Sequence, residues 1–132
     1  MKLFRIILPV EDIEKAARLY GELFGQDGSR VSPGRHYFDA GGVTLALYDA
    51  IADGDTAPAD VASEPVYFAV ADLEAMRERC AKAGLDFPKM DLPGVGVLGR
   101  IETRPWGERC FYAMDPFGNT LCFVDEATAL TA

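Results

Sequence analysis

Histidine occurs once in this chain, at His36, tryptophan once, at Trp106, and cysteine three times, at Cys80, Cys110 and Cys122. Three is an odd number, and none of the cysteines stands in a CxxC pair. No disulfide framework or zinc ribbon follows from them, and a reduced, cytoplasmic setting is the natural expectation. No apolar run is long enough to span a bilayer, and Met1–Arg5 enters a strand-like run with no signal-peptide core or cleavage site. The P-loop, the Rossmann glycine fingerprint and the nucleophile elbow are all missing. Glycines do occur in Asp91–Val97, but they do not lead from a strand into a helix. Positive charge is also scarce. Thirteen Lys and Arg against 21 Asp and Glu leave a formal net charge of −8. That disfavours nucleic acid and anionic membranes as partners and suits a neutral or cationic small molecule.

What is present is organised around Arg104–Asp125. Two apolar runs, Cys110–Met114 and Thr120–Val124, flank Asp115-Pro116-Phe117-Gly118-Asn119. Asp and Asn bond their own backbone, Pro fixes φ and Gly accepts positive φ, so the segment predicts a β-hairpin with a five-residue loop. An earlier stretch, Asp39–Leu47, matches Asp115–Phe123 in length, with Asp, Gly, Thr and Leu at equivalent places. The starts of the two halves match too: Val10-Glu11-Asp12-Ile13-Glu14 against Val70-Ala71-Asp72-Leu73-Glu74. The chain therefore reads as one unit used twice.

Each unit reads β-α-β-β-β. Strands are predicted at 4–10, 29–31, 36–39, 43–48, 66–70, 87–90 and 98–103, besides the final hairpin. Helices start at Asp12 and Asp72 and stop at Gly25 and Gly84. The fold class is α+β: two βαβββ modules forming a curled mixed-sheet cup, with one helix packed outside each sheet. The whole chain, 1–132, is one domain, with a first module at 1–50, an exposed linker at 51–63, a second module at 64–125 and a frayed tail at 126–132.

The repeat, the paired helix starts and the Asp-Pro-x-Gly-Asn hairpin resemble the vicinal-oxygen-chelate superfamily. It contains glyoxalase I, extradiol dioxygenases, fosfomycin-resistance thiol transferases and bleomycin-binding proteins. That resemblance implies a metal in the cup, with ligands from the first and last strands of each half. By motif offset the four places hold Arg5, Ala46, Pro65 and Cys122. A divalent ion needs imidazole, carboxylate or thiolate donors, and only Cys122 offers one. No metal and no cofactor are therefore expected.

Strand alternation puts Arg5, Ile7, Thr44, Ala46, Tyr48, Tyr67, Cys110, Tyr112 and Cys122 on the inner faces. Counting ten residues back from Ala46, as Tyr112 stands ten before Cys122, adds His36, and Phe38 with it. The expected ligand-binding set is Arg5, His36, Phe38, Tyr48, Tyr67, Cys110, Tyr112 and Cys122, with Trp106 at the rim. Such a lining suits a flat or amphipathic organic molecule held by stacking. The expectation is a metal-free binding protein that sequesters or senses such a ligand. The alternative is a lyase, isomerase or dioxygenase-type enzyme using Tyr112 and His36 as acid and base, or a metal held by relocated ligands such as His36, Asp39, Glu64 and Cys122. The partners expected are a small organic molecule and a second copy of the chain.

Overall fold

The computed structural model describes all residues, 1–132. The chain divides into two compact units, Met1–Ala62 and Ser63–Ala132. In the first, strand β1 (Arg5–Pro9) leads into helix α1 (Ile13–Phe24), followed by β2 (Ser29–Ser32), β3 (Arg35–Ala40) and β4 (Val43–Tyr48). The sheet order is β1-β4-β3-β2, with β1 parallel to β4 and the other pairs antiparallel. In the second, β5 (Val66–Val70) leads into α2 (Leu73–Ala83), then the short β6 (Asp91–Leu92), β7 (Gly96–Val97) and β8 (Glu102–Thr103), and finally β9 (Arg109–Met114) and β10 (Thr120–Asp125). Its main sheet runs β5-β10-β9-β8, the same order and the same mixture of directions.

Local chemistry sets the helices. Asp12 accepts a hydrogen bond from Lys15 N at 3.1 Å, and Asp72 accepts one from Ala75 N at 3.0 Å. Each carboxylate thereby satisfies one of the free N–H groups of a first turn. Gly25 and Gly84 end the helices in the left-handed conformation. Helix α1 buries Ile13, Ala16, Leu19, Tyr20 and Leu23 against its sheet, and Phe24 meets Phe38 edge-on at 5.5 Å. In the second unit Phe123 stacks between Phe68, at 5.4 Å, and Phe111, at 5.3 Å, on the α2 side. Burying side chains of this size stabilises each unit by about 1.5–3 kcal/mol per residue.

Three expectations are corrected. Residues 87–90 form no strand. Pro88 has no N–H to donate, and its carbonyl instead accepts from Gly99 N at 2.8 Å, while Met90 O accepts from Leu98 N at 3.0 Å. The strand expected over 98–103 shrinks to Glu102–Thr103. The tail, expected to fray, is fastened. Thr128 Oγ1 accepts from Arg109 N at 3.0 Å, Leu130 N donates to Glu108 Oε2 at 2.9 Å, and Ala129 packs on the strands.

Candidate functional site

Each sheet carries its helix on one face, and the other face holds most of the candidate residues. The parallel ladders confirm the equivalence of the four positions drawn from the repeat. Ile7 pairs with Ala46 and Tyr67 pairs with Cys122, so Arg5 and Pro65 both stand two residues before such a pair.

The first unit's helix-free face carries Arg5, Ile7, Ala46 and Tyr48. Arg5 lies over the Tyr37 ring, 5.1 Å from its centroid, and Arg35 lies over Tyr48 at 4.8 Å. Tyr48 Oη donates to Asp55 at 2.6 Å, and that bond raises the phenol's pKa above its ordinary value. His36 and Phe38 are not on this face. Tyr37 is the residue opposite Ala46, and His36 and Phe38 stand opposite Leu47 and Leu45, on the α1 side. His36 lines a groove of about 620 Å³ with Glu14, Arg18, Gln26 and Arg30. Its Nδ1 accepts from Arg30 Nε at 3.4 Å, and its Nε2 faces Asp27 O at 2.7 Å. The Nε2–H tautomer satisfies both contacts.

The cause of the correction is loop length. Gly41 and Gly42, at φ 68° and 91°, make a two-residue turn between the paired Ala40 and Val43, as a type I′ turn requires. In the second hairpin Asp115 N donates to Asn119 O at 3.0 Å, leaving Pro116, Phe117 and Gly118 in the loop. One residue of difference exchanges the faces of β3. Gly-Gly between two apolar runs was the signal that could have shown it.

In the second unit Cys110, Tyr112, Cys122 and Val124 form a buried cluster on the helix-free face, with Leu98 and Ala129 packed against it. Tyr67 is half exposed on the strand beside them, paired with Cys122 in the parallel ladder. Burial, followed by the neighbouring thiols and Tyr67, pushes the Tyr112 phenol well up. Trp106 is exposed on the β8–β9 turn, its Nε1 donating to Glu108 at 2.9 Å.

Arg104 is the residue sequence reasoning missed. Its side chain is fully buried. Nη1 donates to Val95 O, Val97 O and Glu102 Oε2 at 3.1–3.3 Å. Nη2 donates to Leu98 O, Arg100 O and Cys110 O at 2.9–3.1 Å. Nε donates to Cys110 Sγ at 3.4 Å, and the guanidinium lies 5.6 Å from the centroid of the Tyr112 ring. A guanidinium with five donors is one of the few charged groups that a cage of carbonyls can satisfy without water. This cage gives the 91–100 loop its role, which is to close over Arg104. Sequence position carried no hint of it, because the partners are backbone carbonyls.

No three His, Cys, Asp or Glu side chains come together so as to hold a metal ion. A guanidinium, a methyl group, a pyrrolidine and one buried thiol do not fit the divalent ion that such a fold implies.

The fold is shared with structures of diverse activity. The glyoxalase-related enzyme from Fulvimarina pelagi superposes with a TM-score of 0.72 at 22% identity, over 95% of this chain and 88% of that one. The bleomycin resistance determinant encoded on transposon Tn5 gives 0.65 at 18% identity, over 95% and 98%. Lactoylglutathione lyase from Agrobacterium tumefaciens gives 0.64 at 18%, over 94% and 92%. No curated protein is similar enough in sequence to match. The model of the Glyoxalase/Bleomycin resistance protein/Dioxygenase superfamily matches residues 2–123, nearly the whole length, and this chain belongs to that superfamily.

Proposed function

We propose that the protein binds a small aromatic or amphipathic molecule on the helix-free faces of its sheets, without a divalent metal. The observation that carries this reading is the substitution of the donor positions by Arg5, Ala46, Pro65 and Cys122, among tyrosine rings. Tyr37 and Tyr48 supply stacking surface in the first unit, and Tyr67 and Tyr112 supply it in the second. Arg5 adds a hydrogen-bond donor. Rings and a cation at such a face favour a flat ligand with an acceptor group. Sequestration or sensing of that ligand is the use we assign, in a cytoplasmic homodimer. No helix is long and apolar enough to cross a membrane, and the acidic balance favours a neutral or cationic compound.

The test is calorimetric binding of a panel of aromatic compounds to chelator-treated protein. Binding that weakens about tenfold or more in Tyr112→Ala and in Tyr37→Ala supports the reading. A stoichiometric divalent ion in the purified protein, needed for the ligand to bind, overturns it. For assembly, sedimentation should give a dimer at micromolar concentration; a monomer there removes that part of the proposal.

A further inference from the structure

Cys110 and Cys122 lie on adjacent antiparallel strands and on one face. Cys110 stands opposite Val124 and Cys122 opposite Tyr112, so the two thiols are diagonal neighbours. Both are buried. Arg104 Nε donates to Cys110 Sγ at 3.4 Å, from a guanidinium with no exposed surface. The only carboxylate on that guanidinium is Glu102, at 3.2 Å and partly open to solvent. A buried cation with a single, partly screened acid favours further negative charge at its side, and the sulfur it already touches is the group able to carry it.

We propose that Cys110 is a nucleophilic site for small soft electrophiles, with α,β-unsaturated carbonyl compounds as the chemical class, and that the Thr128–Leu130 segment is its cover. The reaction is a conjugate addition. The Cys110 sulfur lone pair forms an S–C bond to the β-carbon, and the C=C π pair moves onto the carbonyl as an enolate. A proton from water then ends on the α-carbon. Nothing leaves, and no oxidant is needed. The site borders Tyr112 and Cys122 of the ligand reading, and its test is separate, because it follows the labelling and titration of one thiol rather than the binding of a ligand.

The surroundings agree. The neighbouring Cys122 thiol and the Arg104 guanidinium together bring the Cys110 thiol down, against burial and the charge of Glu108. Cys122 is driven the other way, by the neighbouring Cys110 thiol and by burial. Tyr112 packs beside both sulfurs with its phenol raised. Leu98 and Ala129, which pack on the cluster, carry no charge. Cys80, on α2, is a built-in control: burial with no sulfur partner pushes its thiol up to about 12. The cover is slight. Leu130 N on Glu108 and Thr128 Oγ1 under Arg109 N tie the tail across the strands.

The test treats the whole protein with N-ethylmaleimide near neutral pH and maps the adducts by peptide mass. Cys110 should label on the order of tenfold faster than Cys80. The ultraviolet thiolate absorbance should show one sulfur titrating below the ordinary cysteine range, absent in Cys110→Ala. Cys122→Ala should move that titration upward, and Cys122→Ser, which keeps an X–H donor, should restore most of it. Leu130→Pro removes the N–H on Glu108 and should speed labelling without moving the titration. Equal labelling of Cys110 and Cys80 in both the native chain and Leu130→Pro overturns the proposal, as does a low-titrating sulfur that survives in Cys110→Ala. Labelling unchanged by Leu130→Pro overturns the role of the tail.

Discussion

The two hairpins β3–β4 and β9–β10 look alike in sequence and differ in how they turn. In one, Gly41-Gly42 closes the ladder with two residues; in the other, Asp115 and Asn119 pair around three. The consequence reaches along the whole of β3. Tyr37, rather than His36, is the counterpart of Tyr112, since each stands opposite the equivalent residue, Ala46 or Cys122. Each tyrosine also has a guanidinium near its ring, Arg5 in the first unit and Arg104 in the second. The duplication is therefore more faithful in space than in ungapped alignment. Its tyrosine pair is recovered only when one residue of loop is taken out.

The strongest way to break this comparison is to weigh the two faces of β3. Phe38→Ala should lower stability by about 3–5 kcal/mol, since its ring is packed under α1. Tyr37→Ala should cost far less while weakening ligand binding. Equilibrium denaturation decides it, and the reverse order would return Phe38 to the helix-free face.

A smaller contrast lies in the turn carboxylates. Asp115 is buried, and it accepts from Phe117 N, Asn119 N and Asn119 Nδ2 at 2.8–2.9 Å. Asp39 is exposed and accepts from Gly42 N alone at its turn. Asp115→Ala leaves buried donors without an acceptor and should cost about 2–3 kcal/mol, against under about 1 kcal/mol for Asp39→Ala. Equal midpoints in denaturant would mean that the three-residue loop does not depend on its aspartate.

Next comes the glycine pair itself. A Cβ at Gly42 meets no atom within 4 Å, so the cost of Gly42→Ala is purely conformational, about 1–2 kcal/mol for a positive φ. Gly42→Asn should recover part of it. No difference between Ala and Asn would argue against the two-residue turn.

The smallest expected effect separates the units by acid. Bonds from Ser32 and Gly34 N, with Arg35 nearby, hold the Asp53 carboxyl below its ordinary 3.8. Its folded value is depressed, so its contribution is present above that ordinary value and fades as pH falls through the folded one. Asp53→Asn should flatten the acid limb of the stability curve of the first unit. An unchanged limb would sink the assignment.

Much of this protein was legible in its residues. Capping aspartates, closing glycines and apolar periodicity marked both helices, because those signals are local and the chemistry they report is satisfied within a turn. The strands Val43–Tyr48 and Val66–Val70 were readable for the same reason. The equivalence of Arg5 with Pro65 and of Ala46 with Cys122 in the repeat was also legible, since a motif offset needs no packing. What tertiary structure alone decided was register and closure. The face of His36 and Phe38 hung on one residue of loop, which alternation along a single strand cannot see. The cage around Arg104 is built from five backbone carbonyls between Val95 and Cys110, and carbonyls carry no side-chain signature. The fastened tail and the adjacency of Cys110 and Cys122 belong to the same class, because each joins residues that only the folded sheet brings side by side.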